Sequence, residues 1–342
     1  PQQLYDQNLI NQSRSTMSDA QFNREFGAIF TDDSSGYFKV SKMAACTIPD
    51  GEGQSVEVVG NRKDEYILSF DPSWSESESS DDFAMLLIKL NRESNKGTIV
   101  HSYALSGANL KTHIKYMAYI LTHFNISAVV GDYNGGVQFI SSCNESEIFK
   151  SKNLTLGVIE ADLDKSKDYD RNLGRLKNQY NKSERKFVFL RKPTSSWIRL
   201  ANESLQSSFD HKRIFFAGAA MNDDYNNQRK SRVPIEELKF LKNDTDEKGA
   251  KGARMIDFVE HQKDMMDLIK VQCAMVQITT SSQGTQSFDL PRNLRRQSGA
   301  NKARKDSYSA LVLGNWMMNV FYDMESDKIS DRQNTFVPMF IS

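Results

Sequence analysis

The run Tyr66-Ile67-Leu68-Ser69-Phe70 is almost continuously apolar and stops on a carboxylate, Asp71. Alternate residues of a strand face opposite ways, so a strand apolar on both sides must be covered on both sides. That requires a sheet with helices on its faces and excludes a half-solvated sheet at this point. Two further apolar runs follow, Asp82 to Asn91 and Lys96 to Gly107, separated by turn-forming segments. Three such runs in succession predict an antiparallel meander.

The pattern then changes period. Leu110, Ile114, Met117, Ile120 and Leu121 recur at helical spacing within 108–125, before a short apolar strand at Ile126–Asp132. A second helix over 137–149 and a strand over 154–162 come next. Strand, crossover helix and strand build parallel pairs of fixed hand, so a mixed sheet is expected: three antiparallel strands, then parallel ones. Residues 163–186 are charged and read as helical. Short strands at 187–192 and 213–218 flank a helix near Ser195–Ser208. A long helix over 251–272, a hairpin over 274–290 turning at Gln283-Gly284, and an amphipathic helix over 304–324 complete the chain. Residues 1–60 are polar and turn-rich apart from Ser18–Phe30, where Phe22, Phe26 and Phe30 recur every fourth residue. They read as a linker or the tail of another domain, with the main domain over 61–342.

Composition narrows the function classes. Lys+Arg and Asp+Glu both number 44, so the formal charge is zero. Nucleic-acid contact therefore has to come from local patches, of which Arg171–Lys192 and Arg292–Lys305 are the candidates. No apolar run approaches the ~20 residues needed to span a bilayer, so no membrane partner is expected. Cys46, Cys143 and Cys273 are scattered, with no CxxC pair, which points to a reducing compartment and no structural zinc site. The five histidines fall in no ligand spacing.

Three carboxylates occupy element ends: Asp71 and Asp132 close strands, and Asp306 opens the last helix. Each has an ordinary reading as a turn former or helix cap. If the two strands are neighbours and the last helix crosses the sheet, the three converge. Like charges so placed need a cation, and an all-oxygen set suits a hard divalent metal. The acids Glu76, Glu78, Asp81 and Asp82 in the loop after Asp71 would repel nucleic acid unless metal were present.

Three segments together resemble the nuclease domain of the large terminase subunit of tailed bacteriophages. "YILSFDPSWSESESSDDFAMLLI" matches its strand–Asp–loop–Asp motif, "AVVGDYNGGVQFI" its acid–glycine-turn–helix motif, and "RKDSYSALVLGNW" its C-terminal acid on a helix. The third motif departs from the family's His-Asp-Asp, since Arg304 and Lys305 precede Asp306. "SDAQFNREFGAIFTDDSSGYF" resembles the segment joining that family's ATPase and nuclease domains.

The resemblance implies an α/β, RNase H-like fold with an added β-hairpin. It implies an endonuclease that cuts concatemeric double-stranded phage DNA during genome packaging, in the host cytoplasm. Asp71, Asp132 and Asp306 would hold two Mg²⁺ or Mn²⁺ ions, with Asp82, or else Asp81, assisting through a metal-bound water. Arg292, Arg295, Arg296, Lys302, Arg304 and Lys305 would track the DNA backbone. The implied partners are the phage portal, the small terminase subunit and an ATPase domain of the same full-length protein. No GxxxxGK[ST] occurs and no Met precedes Pro1, so this chain is expected to be the nuclease part of a longer protein. The rival readings are another RNase H-like nuclease, such as a resolvase or hybrid cutter, and a non-catalytic module docking on the portal.

Overall fold

The computed structural model describes residues 36–73, 75, 77, 80–161, 186–219, 255–280, 286–295, 297 and 302–334. The expected helix at Ser18–Phe30, the segment 163–186 except its last residue, the hairpin turn at 283–284, Trp74, Glu76, Glu78 and Arg296 lie outside the described residues.

The first apolar runs form β1 (Tyr66–Asp71), β2 (Phe83–Asn91) and β3 (Lys96–Leu105). The predicted helix is α2 (Leu110–His123), capped by Asn109, whose side chain accepts from the Thr112 N–H. It leads into β4 (Ile126–Asp132). A short helix, α1 (Val40–Ala45), precedes the sheet. Further on are α3 (Tyr133–Glu145), α4 (Glu147–Ser151), β5 (Leu156–Ala161) and β6 (Lys186–Arg191). Then come α5 (Ser195–Asp210), β7 (Ile214–Phe216), α6 (Met255–Met275), β8 (Gln277–Thr280) and β9 (Gln286–Asp289). The chain ends in α7 (Arg292–Arg295) and α8 (Asp306–Asn334).

Seven strands form one sheet in the order β5-β6-β4-β1-β2-β3-β7, and β8 and β9 pair separately. β1, β2 and β3 pair antiparallel; β4 is parallel to β1, β6 to β4, β5 to β6, and β7 to β3. This mixed sheet with helices on its faces and an extra hairpin is the RNase H-like arrangement. The chain does not fill the sheet in sequence order beyond β4. β6 takes the place beside β4, and β5 lies outside it. Val188, Phe189 and Leu190 of β6 are buried, whereas Val158 of β5 is 40% exposed. The more apolar strand gains more from the inner position, where both faces are covered.

β1 is central, and Tyr66 through Phe70 are all buried. One face of the sheet meets α2 and α3: Phe70 packs against Phe139, Tyr103 bonds His113, and the Tyr116 hydroxyl meets His101. The other face carries α8, flanked by α5 and α6. The expected amphipathic stripe of α8 is instead buried nearly all round, through Tyr308, Leu311, Val312, Met317, Met318 and Tyr322. A helix sandwiched between a sheet and two helices needs apolar residues on every side.

The polar-looking stretch 36–60 contributes Phe38, Met43, Cys46, Val56 and Val58 to the same core. It is tied down by a buried polar group. The Tyr66 hydroxyl donates to Glu57 Oε2 at 2.6 Å, and Lys89 Nζ stands 2.9 Å from Glu57 and 2.6 Å from Asp64.

Candidate metal centre

The acidic cluster lies at the carboxyl end of β1 and β4. Phe70 is in register with Gly131, so Asp71 and Asp132 leave adjacent strands at the same level, a step of about 4.8 Å apart. Gly131 makes room for the neighbouring ring: a Cβ there would lie 2.2 Å from Phe70 Cζ. Beyond Asp132 the chain turns at Gly135, whose φ of 81° a side chain would disfavour. Asp132 Oδ1 accepts from the Asn134 N–H at 2.7 Å and so caps α3.

Asp306 reaches the same place because α8 lies close on the sheet. At Gly314 a Cβ would stand 2.8 Å from Ser69 Oγ and 2.9 Å from Ile88 Cδ1. Ser69, the small polar residue inside β1, and a glycine in the helix thus form the crossing point. The first turn of α8 then sits over the end of β1, where Ser309 hydrogen-bonds Asp71. Asp306 Oδ2 accepts the Asp82 main-chain N–H at 2.7 Å.

Electrostatics report the convergence. Burial, then the charges of Asp306 and Asp132, push the Asp71 carboxyl well above the usual carboxylate range, against the pull of Ser309 and Lys305. Burial raises Asp132 to about 6, opposed by the Asn134 N–H. It raises Asp306 to about 7, with Asp81 and Asp82 adding to the rise. A desolvated carboxylate that feels the charges of two others, as Asp71 does, is costly when ionised, and a divalent cation removes that cost.

Among the described residues no group of three or more His, Cys, Asp or Glu side chains is placed so that it could hold a metal ion as it stands. The main-chain bonds to Asp132 and Asp306 each occupy one oxygen and leave the other to turn toward a cation. The donor set, oxygen throughout, fits Mg²⁺ or Mn²⁺ better than a softer metal.

The remaining predicted residues divide. Asp82 is nearly buried, with Oδ1 3.3 Å from Arg304 Nε and a hydrogen bond from Ser106, and burial raises its carboxyl. Asp81 is exposed and pairs with Lys302 Nζ at 2.8 Å. Lys305 Nζ lies 3.0 Å from Asp289 Oδ1, and Arg295 is 2.9 Å from its Oδ2. Burial works to raise Asp289, but the bond and charge of Lys305, with the Leu290 N–H and Arg295, hold it below the ordinary value. Arg292 is exposed on α7. The basic residues before Asp306 therefore fold back onto neighbouring acids.

Arg191, in the other basic stretch, is 2% exposed, its guanidinium 5.3 Å from the Trp197 ring and 5.8 Å from Trp316. It is a core side chain, not part of a solvated face, because the inner strand β6 carries it between two helices. Sequence reasoning missed Ser309, Ser69 and Gly314. Ser309 was findable, since it lies three residues after Asp306 on the same helical face. The Ser69–Gly314 contact depends on a crossing that no local pattern encodes.

Strand order and the acidic sheet end together define an RNase H-like α/β domain with a candidate metal centre. Solved structures similar to this chain are large terminase nucleases of phages, the family its motifs resemble. The large terminase nuclease of thermophilic phage G20c with bound magnesium is 10% identical, covering 83% of this chain and 97% of that one, with a TM-score of 0.40. The nuclease domain of the large terminase subunit of bacterial virus Sf6 is 9% identical over 81% of this chain and 97% of that one, with a TM-score of 0.37. The HK97 bacteriophage large terminase is 10% identical over 82% of this chain but only 43% of its own length, with a TM-score of 0.32. At such values the likeness is one of general chain course. No family model and no curated protein matches the sequence.

Proposed function

We propose that this chain is a metal-dependent endonuclease acting on double-stranded DNA, with Asp71, Asp132 and Asp306 as the ligands of two Mg²⁺ or Mn²⁺ ions. The observation that carries the reading is the meeting of β1, β4 and the start of α8 at one end of the sheet, where the half-buried Asp71 is raised by burial and then by the charges of Asp306 and Asp132. Bound there, divalent ions supply an activated water and charge neutralisation at the leaving oxygen of a phosphodiester.

The chain's own residues do the rest. β1 and β4 set two carboxylates on rigid, adjacent strand ends. α8 brings the third, and Ser309 and the Asp82 N–H orient Asp71 and Asp306 respectively. Lys302 and Lys305 neutralise Asp81 and Asp289 beside the site, lowering the negative field that a phosphate backbone would meet. Arg292 and Arg295 are exposed cations of the predicted DNA track. Such contacts position DNA without reading its sequence, so cutting is expected to be sequence-tolerant.

The biological setting follows from the motif resemblance. The substrate is concatemeric phage DNA cut during packaging, and the partners are the portal, the small terminase subunit and an ATPase domain of the same polypeptide. A plasmid-nicking assay tests the chemistry. Asp71→Ala and Asp306→Ala should abolish Mn²⁺-dependent nicking while keeping the far-ultraviolet circular dichroism of the parent. Undiminished nicking by either folded variant rejects the assignment.

A further inference from the structure

We infer that Arg304 is a positioning residue for Asp306, acting through the segment Ser80–Asp82, and not a DNA contact. The inference rests on reading Asp306 as a metal ligand. Arg304 Nε donates to the Ser80 carbonyl at 2.9 Å and lies 3.3 Å from Asp82 Oδ1. The main-chain N–H of Asp82 in turn donates to Asp306 Oδ2 at 2.7 Å. Arg304 and Asp306 are two residues apart at the start of α8, and both grip the same short segment that leads into β2. Ser106, at the end of β3, adds a third element by bonding the Asp82 carboxylate.

Burial makes the arrangement consequential. The Arg304 side chain is 15% exposed and that of Asp82 10%. Water therefore cannot readily take over the bonds, and a charged pair in such surroundings holds its geometry firmly. A guanidinium so enclosed is poorly presented to a phosphodiester. It is well placed to fix where the Asp82 N–H points, and that N–H sets the orientation of one Asp306 oxygen. Asp82 itself then acts through its main chain, with its carboxylate turned to Arg304 and Ser106.

The test compares the parent with Arg304→Ala and Arg304→Lys in three measurements. These are Mn²⁺ affinity by calorimetry without DNA, duplex affinity against salt without metal, and hydrogen exchange at the Asp82 amide. We expect Arg304→Ala to weaken Mn²⁺ binding roughly 10- to 100-fold, the range for residues that orient metal ligands. It should unprotect the Asp82 amide and leave the salt dependence of DNA binding unchanged. Arg304→Lys should restore only part, because lysine lacks the guanidinium Nε–H that faces both the Ser80 carbonyl and the Asp82 carboxylate.

Unchanged Mn²⁺ affinity in Arg304→Ala, with a salt slope shallower by about one, overturns the inference in favour of a phosphate contact. Full retention by Arg304→Lys overturns it equally, and that variant carries the test should Arg304→Ala not fold. A parent that binds no Mn²⁺ rejects the metal reading instead. In that case Asp82 amide exchange still decides the positioning role: equal protection in parent and variant rejects it.

Discussion

Gly314 offers a prediction whose sign runs against ordinary helix propensity. Replacing glycine by alanine inside a helix normally stabilises by about 1 kcal/mol. At Gly314 the new Cβ would fall 2.8 Å from Ser69 Oγ and 2.9 Å from Ile88 Cδ1, inside the packing distance of real side chains. Overpacking of this kind costs about 1–3 kcal/mol. The terminal methyl of Ile88 can swing aside, but the short Ser69 side chain in a buried central strand cannot. Gly314→Ala is therefore expected to lose about 1 kcal/mol net, and Gly314→Leu about 3 kcal/mol or more. Removing the obstructing oxygen should relieve the clash, since Ser69 Cβ would stand 3.3 Å away. The double variant Ser69→Ala/Gly314→Ala should then be more stable than the sum of its singles by about 1 kcal/mol. Gly314 lies eight residues beyond Asp306, about 12 Å along the helix, so lifting this crossing also moves the candidate ligand. Urea denaturation of the four proteins measures the coupling, and Mn²⁺-dependent nicking reads the displacement. A Gly314→Ala protein that gains stability, shows no coupling to Ser69 and nicks normally would refute the packing argument.

Other perturbations probe independent features. Asp71→Asn should stabilise the metal-free protein by about 1–3 kcal/mol in chemical denaturation, by removing a desolvated charge facing two others, while ending Mn²⁺-dependent cleavage. His101 and His113 are each pushed down to about 4 by burial, against a backbone hydrogen bond to Glu57 and Ala108 respectively. Being depressed, each leaves its stability intact above the unfolded value near 6.5 and loses it as pH falls toward 4. Each should cost about 2 kcal/mol between pH 7 and pH 5, and His101→Gln should remove its share of that slope in denaturation midpoints. Lys89→Met should destabilise by about 3–5 kcal/mol, because Glu57 stays buried without its cation; a shift under 1 kcal/mol would mean the network adds nothing.

Much of this architecture was legible because both-face burial leaves a plain mark. β1 and β4 appear as nearly continuous apolar runs, and each ends on a carboxylate of the candidate site. Asp306 was legible as the acid opening the last helical pattern. What hid was set by packing across the chain. Stretch 36–60 looks like linker because its apolar residues are spaced among turn formers, yet Phe38, Met43 and Val56 are core. Lys302, Arg304 and Lys305 look like a phosphate track, and only folding shows that Asp81, Asp82 and Asp289 stand opposite them. The order of β5 and β6 was equally hidden, since it depends on which strand gains more from the inner position.

The central claim is that Asp71, Asp132 and Asp306 converge because they share divalent metal. Anomalous diffraction from a crystal soaked in Mn²⁺ tests it most directly. The account predicts density between the three carboxylates, lost on substituting Asp71 with Asn. Saturating Mn²⁺ with no peak there, or a peak held by other side chains alone, would contradict it.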